Sequence, residues 1–267
     1  MKVLVAGLLD MSSVDYPGRP AAVIFTPKCN YKCPFCQNWK ILEEKPEDTK
    51  ELDEIFEFID NATPAIEAVK ITGGEPTLYP QFIKEVSRYC HEKRLLFGFD
   101  TNGFLSEVIG QLVQYSDLIS LDLKAPPDNP DIMERVTGLS GKGAEITRNT
   151  MKTLENLLSV DNVYLDMRTT VVPTLNDGET EVGRIGEILR SLDYEARASA
   201  RTASYTLQEF LPEHARDERM KRIRAPSCRD LVNLGHATRL KDVYIKHRDA
   251  GFMVHIDELI TPGPKIQ

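Results

Sequence analysis

The sequence alternates short segments rich in β-branched residues with longer segments of helical periodicity, and this alternation limits the folds that the chain can adopt. Each short segment predicts a strand, and each periodic segment predicts an amphipathic helix. Strands joined by helices form right-handed βαβ units and hence a parallel sheet. Six candidate strands follow this pattern: Ala21–Thr26, Ala68–Thr72, Leu95–Asp100, Leu118–Leu123, Val163–Val172 and Ser204–Leu211.

Six such units predict an α/β fold, either a partial (β/α)6 barrel or an open doubly wound sheet, and periodicity does not distinguish the two. In both folds, ligands bind at the carboxyl ends of the strands. Two β-like runs around Asp249-Ala250-Gly251 predict a terminal hairpin. Residues 195–204 are small and polar and predict a flexible connection, and Thr261–Gln267 predicts a loose tail.

Net charge and hydropathy limit the functional classes to which this chain can belong. The 267 residues include 33 Lys and Arg against 41 Asp and Glu, which gives a net charge of -8. Proteins that neutralise phosphates are usually basic, so this balance weighs against a nucleic-acid partner. The first apolar stretch, Val3 to Leu9, is too short for a secretory signal, and no run of 18 apolar residues predicts a membrane span. We therefore expect a cytoplasmic protein.

Three of the five cysteines, Cys29, Cys33 and Cys36, lie close together just after the first candidate strand. Three thiolates on a [4Fe–4S] cluster leave one iron open for a substrate. A zinc site is the alternative, but zinc favours C-x2-C pairs, and no histidine lies within fifty residues of the trio. A simple electron-carrying cluster would need a fourth cysteine nearby. Cys90 and Cys228 are distant, and we expect both to be buried, inert thiols.

The C-x3-C-x-aromatic-C spacing of this segment resembles that of radical S-adenosylmethionine (SAM) enzymes. The resemblance implies a partial TIM-type barrel with a [4Fe–4S] cluster on the three cysteines and reductive cleavage of SAM to a 5′-deoxyadenosyl radical. It implies that Phe35 packs near the adenine. It also implies that Gly73, Gly74 and Glu75, which end the second strand, bind the amino group of SAM. Two adjacent glycines would let the backbone approach a ligand closely.

Two further motifs end the third and fourth strands, Asp100-Thr101-Asn102-Gly103 and Asp122-Leu123-Lys124. Strand alternation places Asp122 and Lys124 on one face, where Lys124 can pair with a carboxylate and Asp122 with a hydroxyl. An acid at such a junction is also a common helix cap, so Asp100 alone would be ambiguous.

These two motifs resemble those of the glycyl-radical-enzyme activases. The resemblance implies that Asp100, Thr101, Asn102, Asp122 and Lys124 contact SAM, and that the two acids help to hold a monovalent cation. Residues 7–18, 36–38, 171–177 and 210–214 are similar to the activating proteins of anaerobic ribonucleoside-triphosphate reductases. In the last of these segments, the resemblance places His214 at the border of the SAM pocket.

The resemblance spans roughly residues 5–215. We therefore expect a core domain over 1–215 and an extension over 216–267, packed on the core, with a short helix and the β-hairpin. The implied partner is a glycyl-radical enzyme, in particular an anaerobic ribonucleotide reductase. Because the chain has no cysteine-rich ferredoxin insert, an external flavodoxin or ferredoxin would supply the electron. Two alternatives remain: a radical SAM enzyme acting on a small molecule or RNA, and a non-enzymatic iron–sulfur or zinc interaction module.

Overall fold

The computed structural model describes residues 1–260, so the predicted tail Thr261–Gln267 lies outside the described residues. The strands and helices follow the chain as β1 Lys2–Leu4, β2 Gly7–Tyr16, β3 Arg19–Thr26, β4 Thr49–Glu51, α1 Leu52–Ala62, β5 Ala68–Gly73, α2 Pro80–Glu92, β6 Leu96–Thr101, α3 Ser106–Leu112, β7 Leu118–Asp122, α4 Pro130–Thr137, α5 Gly143–Leu158, β8 Tyr164–Val171, α6 Glu179–Ser191, α7 Tyr194–Ser199, β9 Ala203–Glu209, α8 Cys228–Ala237, β10 Val243–His247, β11 Gly251–His255 and α9 Ile256–Ile260.

A nine-stranded sheet organises the molecule, in the order β11-β10-β9-β8-β7-β6-β5-β3-β2. The seven strands from β3 to β10 in this sheet run parallel, and β2 and β11 pair antiparallel at its two edges. The sheet curls into a half-barrel, which confirms the predicted partial TIM-type barrel. All six predicted strands are present, with ends that differ by up to two residues.

Burial of apolar helix faces against the sheet holds this architecture together. Helix α1 presents Leu52, Ile55 and Ile59 to the sheet, and Ile55 and Ile59 are completely buried. Each such side chain contributes roughly 1.5–3 kcal/mol to folding. The apolar faces of α1, α3 and α6 all contribute to one continuous core. Within residues 1–260, no helix is both long enough and apolar enough to cross a bilayer.

Helix α7 corrects the prediction of a flexible connection over residues 195–204. Arg197 is buried there, and its guanidinium donates hydrogen bonds to the carbonyl oxygens of Leu157 at 3.2 Å and Val163 at 2.8 Å. Alanine, glutamate and arginine are strong helix formers, although this segment lacks apolar periodicity. The buried arginine therefore fixes a helix that a hydrophobic pattern does not reveal.

The predicted terminal hairpin is confirmed as β10 and β11, which pair antiparallel. Strand β10 also pairs parallel with β9, so the hairpin extends the main sheet. At the other edge, β2 and β3 form a hairpin that the six-strand prediction omits. Its turn carries Pro17 followed by Gly18 at φ 71°, a combination typical of a type II turn and readable from the sequence.

Candidate active site

One cavity of about 290 Å³ opens at the carboxyl ends of the parallel strands. Ligands of parallel α/β folds bind at this end, because loops from successive strands converge there. All the predicted site residues except His214 line it: Cys29, Cys33, Phe35, Cys36, Gly73, Gly74, Glu75, Asp100, Thr101, Asn102, Asp122 and Lys124. His214 is exposed in the short turn Pro212–His214 and is not among the residues that line the cavity.

The three cysteines lie on the loop after β3. The backbone N–H of Tyr31 donates to the sulfur of Cys29 at 3.4 Å, and the N–H of Cys36 donates to the carbonyl of Cys33 at 3.2 Å. The loop is anchored to the end of α4, where the N–H of Lys32 donates to the carbonyl of Thr137 at 2.8 Å. Backbone contacts of this kind fix the direction in which the thiols point.

Burial makes the thiols of this loop poor acids in the absence of a bound cation. It raises the pKa of Cys29 to about 12 and that of Cys33 to about 11, and the negative charge of Glu75 adds to the effect at Cys29. Thiolates are the form that binds iron, so loading a cluster must release protons. Asn30 carries a buried amide nitrogen for which residues 1–260 provide no hydrogen-bond partner.

These residues fit an iron–sulfur cluster. Three thiols line one cavity, a buried amide nitrogen without a partner in residues 1–260 lies on the same loop, and thiolates are the usual ligands of such clusters. In the part of the chain that the structure describes, no group of three His, Cys, Asp or Glu side chains could hold a single metal ion. A cluster has a different requirement, because each of the three cysteines would bind a different iron.

The Gly73-Gly74-Glu75 segment packs tightly between the cysteine loop and the loop after β6. Gly73 has a φ of +108°, and a Cβ on Gly74 would collide with the backbone carbonyl of Lys28, so both positions require glycine. Glu75 is buried and accepts hydrogen bonds from the N–H of Asn102 and the hydroxyl of Thr101, both at 2.8 Å. Its carboxylate thus joins two cavity loops to each other.

Lys124 and Asp122 form an ion pair at the cavity wall, with 2.8 Å between Nζ and Oδ2. Burial acts to lower the pKa of Lys124, but the charge and hydrogen bond of Asp122 together with the nearby cysteines outweigh burial and raise that pKa. The ammonium also lies 5.9 Å from the centre of the Phe35 ring. A fixed cation beside an aromatic face suits a ligand that has both a carboxylate and a planar base.

Beneath the cavity lies a cluster of hydrogen-bonded charges, here called the polar floor, which comprises Lys70, Asp100, Ser120, Asp166 and Arg168. Arg168 Nε donates to Asp166 at 2.6 Å, and Lys70 Nζ lies 2.8 Å from Asp100 Oδ1. Burial acts to raise the pKa of Asp100, but the charges of Lys70 and Arg168 outweigh it and lower that pKa to about 2. Asp100 is therefore ionised at neutral pH.

Sequence reasoning missed part of this site. Arg168 and Lys246 line the cavity but have no motif around them, and Lys70 stands beneath it. The alternation of Asp166, Met167 and Arg168 was the available signal, since it places the two charged residues on one face of β8. Lys246 lies on β10, so the C-terminal hairpin contributes to the cavity wall.

The two remaining cysteines lie elsewhere in the fold. Cys90 is completely buried in α2, as expected. Cys228 corrects the other expectation, because it is only partly buried at the first position of α8, where the chain enters the helix from the surface. Neither cysteine is among the residues that line the cavity.

Comparison with known proteins agrees with this geometry. The family described as the radical SAM superfamily matches residues 23–183, and the chain belongs to that superfamily. A protein of Methanocaldococcus jannaschii described as a "putative glycyl-radical enzyme activating enzyme" is 36% identical over 238 residues, which cover 88% of this chain and 91% of that protein. The chain therefore resembles the activases within the superfamily.

Two more distant comparisons concern an activating enzyme and the fold. The pyruvate formate-lyase 1-activating enzyme of Escherichia coli is 29% identical over 189 residues, which cover 67% of this chain and 72% of the enzyme. The crystal structure of a radical SAM methyltransferase from Sphaerobacter thermophilus superposes with a TM-score of 0.62 at 16% identity. That match covers 86% of this chain and 67% of the other, and at this identity it establishes the fold alone.

Proposed function

We propose that the chain is an activase that generates a glycyl radical on a partner enzyme, and that the partner is an anaerobic ribonucleotide reductase. The observation that carries the proposal is the convergence of three cysteine thiols and the predicted SAM contacts on one cavity. In this proposal Cys29, Cys33 and Cys36 hold a [4Fe–4S] cluster. Bound there, the cluster supplies the electron that cleaves SAM to methionine and a 5′-deoxyadenosyl radical.

The protein's own residues would bind and orient SAM. Lys124 offers an ammonium to the SAM carboxylate, and Phe35 offers a ring to the adenine. The backbone at Gly73 and Gly74 lines the cavity without side chains, so the amino end of SAM can approach its carbonyl groups closely. Glu75 would act indirectly, because its carboxylate already holds Thr101 and Asn102 in place.

The identity of the hydrogen donor rests on the relatives. The Methanocaldococcus jannaschii protein and the Escherichia coli enzyme are both described as activating enzymes, and the similarity covers most of each. In the proposed step, the radical takes a hydrogen atom from a glycine Cα of the partner, which leaves a glycyl radical and 5′-deoxyadenosine. A flavodoxin or ferredoxin would supply the electron. The exposed basic residues Arg216, Arg219 and Arg222 offer an acidic donor a surface on which to dock.

The test combines the reconstituted, reduced protein with SAM and the candidate reductase in the absence of oxygen. We expect a glycyl-radical doublet by electron paramagnetic resonance and one 5′-deoxyadenosine per radical formed. Cys33→Ala serves as the matched control and should give neither. If reduced protein releases 5′-deoxyadenosine with a small molecule or RNA and forms no radical on any encoded glycyl-radical enzyme, the activase proposal is wrong.

A further inference from the structure

The polar floor contains a lysine that is completely shielded from solvent. Lys70 lies on β5, and its ammonium donates to the backbone carbonyl of Asp15 at 2.6 Å and to the hydroxyl of Ser120 at 2.8 Å. Its third partner is the carboxylate of Asp100, at 2.8 Å. Burial lowers the pKa of Lys70, and the neighbouring charge of Asp100 acts to keep it protonated. An ammonium has three protons to donate, so these three contacts account for all of them. The side chain is thus held at one position beside Asp100.

The carboxylate of Asp100 is similarly committed to protein partners. Its Oδ2 accepts a hydrogen bond from the hydroxyl of Thr72 at 2.6 Å. Its Oδ1 faces Lys70 and also lies 3.5 Å from the guanidinium of Arg168. The second acid, Asp122, is paired with Lys124 at 2.8 Å. The two acids that the family resemblance assigns to a monovalent cation, together with Asp166, which pairs with Arg168, are therefore already balanced by three cationic side chains.

This arrangement does not fit an additional metal cation between the two acids. Both oxygens of Asp100 and Oδ2 of Asp122 already have donors within the protein, and a potassium ion there would sit near Lys70, Arg168 and Lys124. Like charges repel strongly in a site that is partly shielded from water. A metal ion can dissociate into water and become hydrated. The ammonium of a buried lysine is covalently part of the chain and stays at its position.

We propose that the ammonium of Lys70 takes the place of the monovalent cation, so that this protein binds SAM without potassium or sodium. The inference rests on the proposed function, because it assumes that SAM occupies this cavity. In this role Lys70 is a positioning residue. It fixes the charge and orientation of Asp100, which faces the cavity, and it has no contact with SAM itself.

The experiment measures SAM affinity of the cluster-loaded protein in potassium chloride and in tetramethylammonium chloride at equal ionic strength. For the unaltered protein we expect dissociation constants that agree within about twofold, and no thallium(I) binding detectable by 205Tl magnetic resonance in the presence of SAM. In Lys70→Met, the ammonium is replaced by an apolar side chain of similar length. That variant should bind thallium(I), and potassium should tighten its SAM binding by about fivefold or more, a coupling of ordinary size.

Lys142→Met is the matched control, because Lys142 is exposed and pairs with the nearby Glu145. It should behave like the unaltered protein in both salts. Lys70→Met that binds SAM without any response to potassium would contradict the inference. If Lys70→Met fails to fold, the unaltered protein still tests the proposal. A fivefold loss of its SAM affinity in tetramethylammonium chloride would overturn the proposal. Absence of SAM binding in either salt would instead refute the proposed function, and with it the inference.

Discussion

The cysteine loop lines the cavity and the polar floor lies beneath it, and the two regions are built in opposite ways. In the floor, Lys70, Asp166 and Arg168 each have charged or hydroxyl partners within the protein. In the loop, the thiols are buried with raised pKa values, and the amide nitrogen of Asn30 lacks a partner in residues 1–260. The floor is complete without a ligand, whereas the loop requires one. Changes to the two regions should therefore affect different properties of the protein.

The largest expected effect comes from the cysteine loop. Cys33→Ala should abolish reductive SAM cleavage, because two thiolates would hold the proposed cluster poorly. The free energy of unfolding of the cluster-free protein should change by only about 1 kcal/mol, the usual size for a single substitution. Iron content, 5′-deoxyadenosine release and urea unfolding measure these effects. Cys90→Ala and Cys228→Ala are controls that should keep the cluster, and full activity in Cys33→Ala would contradict the assignment.

A change in the polar floor should affect mainly the stability of the fold. Asp166→Ala removes the buried carboxylate that accepts from Arg168 and leaves a guanidinium that is only 12% exposed with a weaker set of partners. Breaking a buried ion pair from one side costs about 3–5 kcal/mol of folding free energy. Urea unfolding of the cluster-free protein should detect this loss. A destabilisation no larger than that of Cys33→Ala would remove the contrast between the two regions.

The cavity wall should show a smaller and more selective effect. Lys124→Ala and Asp122→Ala should each weaken SAM binding by about ten- to a hundredfold, which corresponds to a charge-assisted contact of roughly 1.5–3 kcal/mol. The visible absorbance of the cluster should not change. Isothermal titration with SAM measures the affinity. Unchanged affinity in both variants would mean that this ion pair serves the fold.

The smallest effect is expected at His214. Because its side chain is exposed and is not among the residues lining the cavity, His214→Ala should change the dissociation constant for SAM by less than about twofold, an effect below 0.5 kcal/mol. The same titration provides the measurement, with Lys124→Ala as the positive comparison. A tenfold loss of affinity would show that the turn Pro212–His214 moves into the cavity when SAM binds.

Motif spacing predicted the cysteine loop and the residues at the ends of β5, β6 and β7, because a short sequence pattern fixes the local backbone. The polar floor was less accessible to such reasoning. Lys70 occurs between Val69 and Ile71, where simple alternation suggests a polar residue that faces water. Only the curvature of the half-barrel places that face inside the barrel, next to Asp100. A contact of this type depends on tertiary structure that the local pattern does not contain.

The parallel pairing of β10 with β9 also has a consequence for the order in which the walls of the cavity form during folding. During synthesis the chain emerges from its amino end, and early segments can begin to fold first. The cysteine loop spans Cys29 to Cys36, whereas Lys246 follows it by 210 residues in the chain. The wall that carries Lys246 is therefore the last to close, and until then the side of the cavity next to β9 remains open to solvent.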